Sequence, residues 1–389
     1  MKMTLSDTAE ELVQELTDAE LRDGNIARAI VATDGRRART VVEGLGIRPF
    51  AAAANLDRLR AALPAHTVII EYAFLPQRLA IFTIAHDSLN VVTIPIVRDG
   101  VAEEVSAFVA AVRSRRPLPE IRQRGGRLEQ LLIEPIESQL ASADVLVLVG
   151  DGPLYALPFS ALYMPRENRY LVERYRIAAV PAASLLLRHI PTAPQPRLVV
   201  ISDPANGTDP ALPGARREAL RIAKLYGAHS TLLSGANASA DAFAREAEQS
   251  NFIYYAGHTT GGDDARLPLR YANGRLIAAD DIAQLRLGHT RLVVLAGCGT
   301  MQGVGTHLEG VPSLARAFLA AGATSVIGTL WPIDDRPSAR AFEALNCHLF
   351  AGASPVVALS NAQRELLRDG DPFFRHPATW AAVELLGLP

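Results

Sequence analysis

Four short apolar runs in the second half of the chain restrict its fold more than anything else in the sequence: "RLVVIS" from Arg197, "NFIYYAGH" from Asn251, "RLVVLAGC" from Arg291 and "SVIGTLW" from Ser325. Each is continuously apolar rather than alternating, which predicts a strand buried on both faces. "STLLS" from Ser230 adds another strand, and helical spacing fills about 215–226, 240–249, 312–321, 337–350 and 355–367. Strands and helices that alternate in this way predict an α/β layer architecture around a mostly parallel sheet.

The first half repeats the theme less regularly. "TVIIEYAFL", "RLAIFTIA" and "LNVVTIPI" are β-branched runs parted by turn residues, a helix is predicted over 101–114, and "VLVLV" runs into Asp151-Gly152-Pro153. Residues 1–62 carry helical patterns at 9–16, 19–32 and 56–63, readable as one worn helical-hairpin repeat, without the clean period of an array. The prolines of "PTAPQP", 191–196, exclude helix and central strand. The expected organisation is a helical segment 1–62, a first α/β half 63–190 and a second half 191–389.

With 389 residues, 49% of them hydrophobic, two medium cores are expected. The 39 basic and 41 acidic side chains are spread along the chain for a net charge of −2, so no basic field invites nucleic acid or an anionic membrane. The longest nearly apolar stretch, Ser313 to Pro332, holds Arg316 and two glycines and divides into a helix and a strand, so no membrane span is expected. The acidic N-terminus lacks the basic start and apolar run of a secretory signal, which makes the cytoplasm the expected location. Two cysteines make no disulfide framework. Cys347, among Phe342, Leu345, Leu349 and Phe350 at helical spacing, is expected to fill the core.

Cys298 is different, because its strand opens into glycines on both sides, and "FIYYAGHTTGG" repeats that design around His258. In open parallel sheets ligands collect at the carboxyl ends of strands, and both residues stand at such ends. If the two strands are neighbours, the imidazole can assist the thiol as a nucleophile. Gly297 and Gly299 then let backbone approach a carbonyl and turn N–H groups toward it as an oxyanion hole. Taken singly, a cysteine in an apolar strand is most often core and a histidine at a strand end is most often a satisfied loop residue; the pair carries the catalytic reading. "GCGTMQ" ends in Gln302 where a dinucleotide fingerprint needs glycine, and the phosphate-loop and nucleophile-elbow motifs are absent. Cys298 with His307 lacks further close-spaced ligands, so neither a metal nor a cofactor is expected.

These residues resemble a known family. The run from "FIYYAGHTTGG" through "RLVVLAGCGTMQGVGTHLEGVPSLARAFLAAGATSVIGTLWPIDD" is similar to the CHAT peptidases, caspase-like and separase-like members of the caspase fold group. "DPANGTDPALPGARREA", "HPATWAAVELLGLP", "VLVLVGDGPLYALPFSALY" and "TVIIEYAFLPQRLAIFTI" extend the resemblance to about residues 60–389. It implies a caspase-like three-layer α/β fold with a mostly parallel sheet, a silent pseudo-caspase half, an active caspase-like half and a short helical N-terminal segment.

Carried over by position, the resemblance implies Cys298 as nucleophile and His258 as general acid/base of a cysteine endopeptidase, with the N–H groups of Cys298 and Thr259 as oxyanion donors. The family usually has glycine after its histidine, where this chain has Thr259, and alanine before its cysteine, where this chain has Gly297. Its Gly-Glu-Gly stretch keeps Glu309 and Gly310 and loses the first glycine. Asp334 and Asp335, beyond the next strand, are candidates for a substrate pocket taking a basic residue, or else for capping the following helix. Trp331 either closes that pocket or fills the core. The segment from Thr259 to Ala279 is a candidate activation loop. Expected partners are a protein or peptide substrate and a regulatory protein, in a bacterial defence or cell-death setting. The alternatives are a catalytically inactive interaction module and a small-molecule amidase using the same dyad.

Overall fold

The structure is a computed structural model that describes residues 5–35, 37, 53–188, 197–204, 212–259, 268–297, 299–301, 313–333 and 335–389. These fall into two compact units, one of described residues up to Arg188 and one from Arg197 onward.

The first unit opens with helices α1 (Leu5–Arg22), α2 (Ile26–Asp34) and α3 (Ala53–Ala62). Helix α1 runs unbroken where two separate helical patterns were expected, and the chain turns at Gly24 instead. Strands β1 (Thr67–Phe74), β2 (Leu79–Ile84) and β3 (Leu89–Ile94) form an antiparallel meander. Helices α4 (Arg98–Arg113) and α5 (Leu118–Leu132) pack together and lead into β4 (Val145–Val149), which lies parallel to β1. A ribbon of β5 (Tyr163–Met164) and β6 (Arg169–Tyr170) precedes β7 (Arg176–Ala179), parallel to β4. The sheet order is β3-β2-β1-β4-β7. Ala29 and Ile30 of α2 and Leu56 and Leu59 of α3 belong to the same buried cluster as Ile69, Phe82 and Val147. The change of pattern near residue 62 therefore marks a change of element type, while the helices share one core with the strands of this unit.

A buried ion cluster lies where β1 and β4 end. Arg37 is 5% exposed and stands 3.6 Å from Glu71 and 3.9 Å from Asp151. Its guanidinium also donates to the carbonyls of Tyr72 and Gly150. Thr33 donates to Glu71 at 2.6 Å, and Asp151 accepts from the Phe74 N–H at 2.8 Å. Burial pushes the Glu71 carboxyl up to about 7, outweighing the downward pull of Arg37.

In the second unit β8 (Leu198–Pro204), helix α6 (Pro213–Tyr226), β9 (Ser230–Gly235), helix α7 (Ala240–Ala247) and β10 (Phe252–Ala256) come in succession. A second ribbon of β11 (Leu269–Arg270) and β12 (Leu276–Ile277) leads to helix α8 (Ala279–Ala283), β13 (Leu292–Leu295), helix α9 (Leu314–Ala320) and β14 (Ser325–Thr329). Helices α10 (Asp335–Phe350) and α11 (Pro355–Leu367) pack on each other, and β15 (Val383–Gly387) closes the chain. Strands β9, β8, β10, β13 and β14 are parallel in that order, and β15 lies antiparallel to β14. Every residue of β10, β13 and β14 is buried, as strands covered on both faces must be.

Cys347 corrects an expectation. It is exposed, because Phe342 and Leu345 define the buried face of α10 and Cys347 lies off it. Among the described residues no helix is long and apolar enough to cross a membrane.

Candidate active site

Strands β10 and β13 are direct neighbours, paired from Phe252↔Leu292 to Tyr255↔Leu295, so the loops leaving their carboxyl ends emerge at one edge of the sheet. His258 stands two residues beyond β10 and is partly exposed. Its backbone is held from below: the Tyr255 hydroxyl lies 2.9 Å from the His258 carbonyl and 2.7 Å from that of Arg270, sharing one proton between them. Tyr255 is fully buried, and a Cβ at residue 257 would stand 2.8 Å from its hydroxyl, so glycine at 257 is what lets the phenol reach the histidine's main chain. Thr259 is buried and bridges Leu269, and the Arg270 N–H donates to the His258 carbonyl at 3.3 Å.

Cys298 lies outside the described residues, but its two neighbours do not. The Thr329 hydroxyl, at the end of β14, accepts from the Gly299 N–H at 2.8 Å and donates to the Gly297 carbonyl at 2.7 Å. One side chain thus ties together the two residues on either side of position 298. Thr300 answers it, its hydroxyl accepting from the Thr329 N–H at 3.0 Å, and the Met301 N–H donates to the Thr329 carbonyl at 3.0 Å. Gly299 has φ 64°, the left-handed conformation that glycine adopts without strain. Thr329 was not singled out in the sequence, where it reads as one more β-branched strand residue; the only hint is its position at a strand end level with the two glycine loops.

Gly297 packs against the residues on either side of His258. A Cβ placed on Gly297 would stand 3.1 Å from both the Gly257 carbonyl oxygen and the Thr259 Cγ2. Gly297 and Thr259 are therefore reciprocal in space: the threonine methyl takes room that an alanine at 297 would need. Gly297→Ala should cost about 1–3 kcal/mol of stability by overpacking. Thr259→Ser, which removes only Cγ2, should return about 1 kcal/mol of that in the double variant, because the Gly257 carbonyl still crowds the new methyl. Urea denaturation of the four proteins measures this coupling, and simple additivity would contradict it.

The remaining candidates separate. Trp331 is 3% exposed and its Nε1 donates to the Ala378 carbonyl at 3.2 Å, packing that favours the core reading of this residue. Asp334, Glu309 and Gly310 lie outside the described residues, while Asp335 opens α10, two residues before the expected start at Pro337. Of the candidate activation segment, 260–267 lie outside the described residues; beyond them Tyr271 is fully buried against Phe243 and Tyr255, while 274–276 are exposed. Aromatic packing, invisible to periodicity, holds Tyr271 in place.

A family model described as the CHAT domain matches residues 122–388. The chain belongs to the CHAT domain family. Among curated proteins the chain is similar to tetratricopeptide repeat protein 28 of Mus musculus, 28% identical over an alignment of 326 residues, with 67% of this chain and 13% of that protein covered. Its namesake of Homo sapiens is 27% identical over 323 residues, again 67% and 13%. This CHAT chain thus spans about an eighth of the length of these relatives. Among solved structures it resembles a chain of the Saccharomyces cerevisiae separase–securin complex, with TM-score 0.67 and 12% identity over 98% of this chain and 36% of that one. The likeness is one of fold, and the fold is caspase-like.

Proposed function

We propose that this CHAT domain is a cysteine endopeptidase in which Cys298 attacks the peptide carbonyl and His258 handles the proton. The observation that supports it best is the adjacency of β10 and β13, with Gly297 packed against the residues on either side of His258. The sulfur adds to the carbonyl carbon, the N–H groups of Cys298 and Thr259 take up the oxyanion charge, and His258 delivers the thiol proton to the leaving amine. Water then opens the thioester with His258 as base. Asp334 and Asp335 would face a basic side chain of the substrate. The first unit, whose strand ends are filled by Arg37 and its carboxylates, serves as the silent half and as scaffold.

Regulation by a protein partner is part of this reading, supported by the securin-bound state of the separase chain, and the setting is cytoplasmic bacterial defence or cell death. A second reading, a silent interaction module, draws on Thr259 standing where the family has glycine. A peptide-based electrophilic probe separates them. Mass spectrometry should find the adduct on Cys298, absent in Cys298→Ala and slowed about 10²- to 10⁴-fold in His258→Ala. No adduct at Cys298, with or without a partner, would leave the interaction module as the better account.

A further inference from the structure

Strand β9 is the outer strand of its unit: it pairs with β8 on one side only, and each of its residues is partly exposed. Sheet edges are ordinarily blunted by charge, proline or a bulge, because their free main-chain groups template another strand. The run Ser230 to Ser234 has none of these; it reads Ser-Thr-Leu-Leu-Ser, in regular register with β8. That register fixes which groups are free. The Phe252 N–H donates to the Arg197 carbonyl at 3.1 Å, so residues 197, 199 and 201 turn toward β10, and 198, 200 and 202 toward β9. With Leu198 opposite Ser230, Thr231 and Leu233 bond to β8, and Ser230, Leu232 and Ser234 turn their main-chain groups outward. The Ser230 N–H already donates to the Gly227 carbonyl, and the Ser234 carbonyl already accepts from the Asn237 N–H. The Ser230 carbonyl, the Ser234 N–H and both main-chain groups of Leu232 are left without a partner among the described residues.

We propose that this edge joins a second copy of the chain, β9 pairing antiparallel with its counterpart about a two-fold axis through Leu232. In that register each Leu232 donates to and accepts from the other, and each Ser234 N–H donates to the Ser230 carbonyl of the second copy. Every free group is satisfied and no spent group is asked for a bond, whereas a shift of two residues either way sets Leu232 against a spent one. The free set is thus its own complement, which names a second copy over an unrelated strand. Helix α6 adds to the contact. It buries Ala219 and Ile222 and pairs Arg221 with Glu343 of α10, so Leu220, 51% exposed, lies on the flank away from α10. The Ser230 hydroxyl donates to the Ala223 carbonyl at 2.8 Å, which sets Leu220 about level with Leu232, so the axis turns the two copies of Leu220 toward each other. The surface is independent of the peptidase reading, since β9 carries neither residue of the proposed dyad.

Sedimentation of the full chain should show a weak dimer, with Kd on the order of 10 µM. Residue-resolved hydrogen exchange locates it: the Leu232 and Ser234 amides should become protected as concentration rises, while those of Thr231 and Leu233, held by β8, are protected throughout. Leu232→Pro removes an outward N–H and no bond to β8, and should abolish the dimer with the fold retained. Leu220→Lys, on the exposed surface, should weaken it at least tenfold. A dimer that leaves the Leu232 and Ser234 amides unprotected, or that survives both variants unchanged, would overturn the proposal. A chain still monomeric at about 200 µM would overturn it too, and would leave this edge to a strand of another protein.

Discussion

Thr329→Val should lower peptide turnover, and the rate of probe addition to Cys298, by about 10²-fold while the fold survives. Valine has the shape of threonine, so the change opens no cavity around this buried side chain. What it removes is the hydroxyl that accepts from Gly299 and donates to Gly297, and both main-chain groups are then left without that partner. Each unpaired buried group costs about 1–3 kcal/mol, and the cheapest relief is for the main chain at 297 and 299 to shift. A displacement of about 1 Å at a reacting atom is enough for a hundredfold loss. Thr329 touches no substrate in this mechanism and acts by positioning residue 298. Thr329→Ser, which keeps the oxygen, should therefore recover most of the rate, and a valine variant as fast as the parent would remove Thr329 from the mechanism.

Arg37→Met should cost about 3–5 kcal/mol at pH 8, because it strands carboxylates in a dry site with no counter-charge. Glu71 is fully buried and Asp151 nearly so, and Arg37 is the guanidinium facing both. The loss should depend on pH with a definite sign. The Glu71 carboxyl is already raised by burial from 4.5 to about 7, so the folded state holds more protons than the unfolded one across that window. Its contribution to stability is complete below about 4.5 and is lost as pH rises through 7. Without Arg37 the carboxyl rises further, so the variant should come closer to the parent at pH 5.5, where Glu71 takes up a proton. Urea denaturation at the two pH values measures both quantities. A penalty independent of pH would mean that Arg37 matters for its bonds to the Tyr72 and Gly150 carbonyls rather than for its charge.

Much of the fold was legible because burial on both faces leaves a local trace. Continuous apolar runs marked β8, β10, β13 and β14, and helical spacing marked α10 and α11 to within about two residues of their ends. Apart from the two-residue strands of the ribbons β5–β6 and β11–β12, two strands left no such trace. "RIAA" of β7 is short, and "VELLG" of β15 alternates in burial and runs antiparallel to β14 instead of continuing the parallel series. Cys347 misled for a related reason: helical spacing identifies an apolar face but does not say how far a neighbouring helix covers its margin.

The chain order alone determined that an imidazole and a thiol each come just after a buried strand and are flanked by glycines, because those are properties of residues close in sequence. That β10 lies beside β13, that Thr329 ties Gly297 to Gly299 from a third strand, and that the methyl of Thr259 fits the missing methyl of Gly297 were decided only by tertiary structure. Strand order and cross-strand hydrogen bonds join residues thirty or more positions apart, and local periodicity carries information about a residue's own burial, not about which strand will lie next to it.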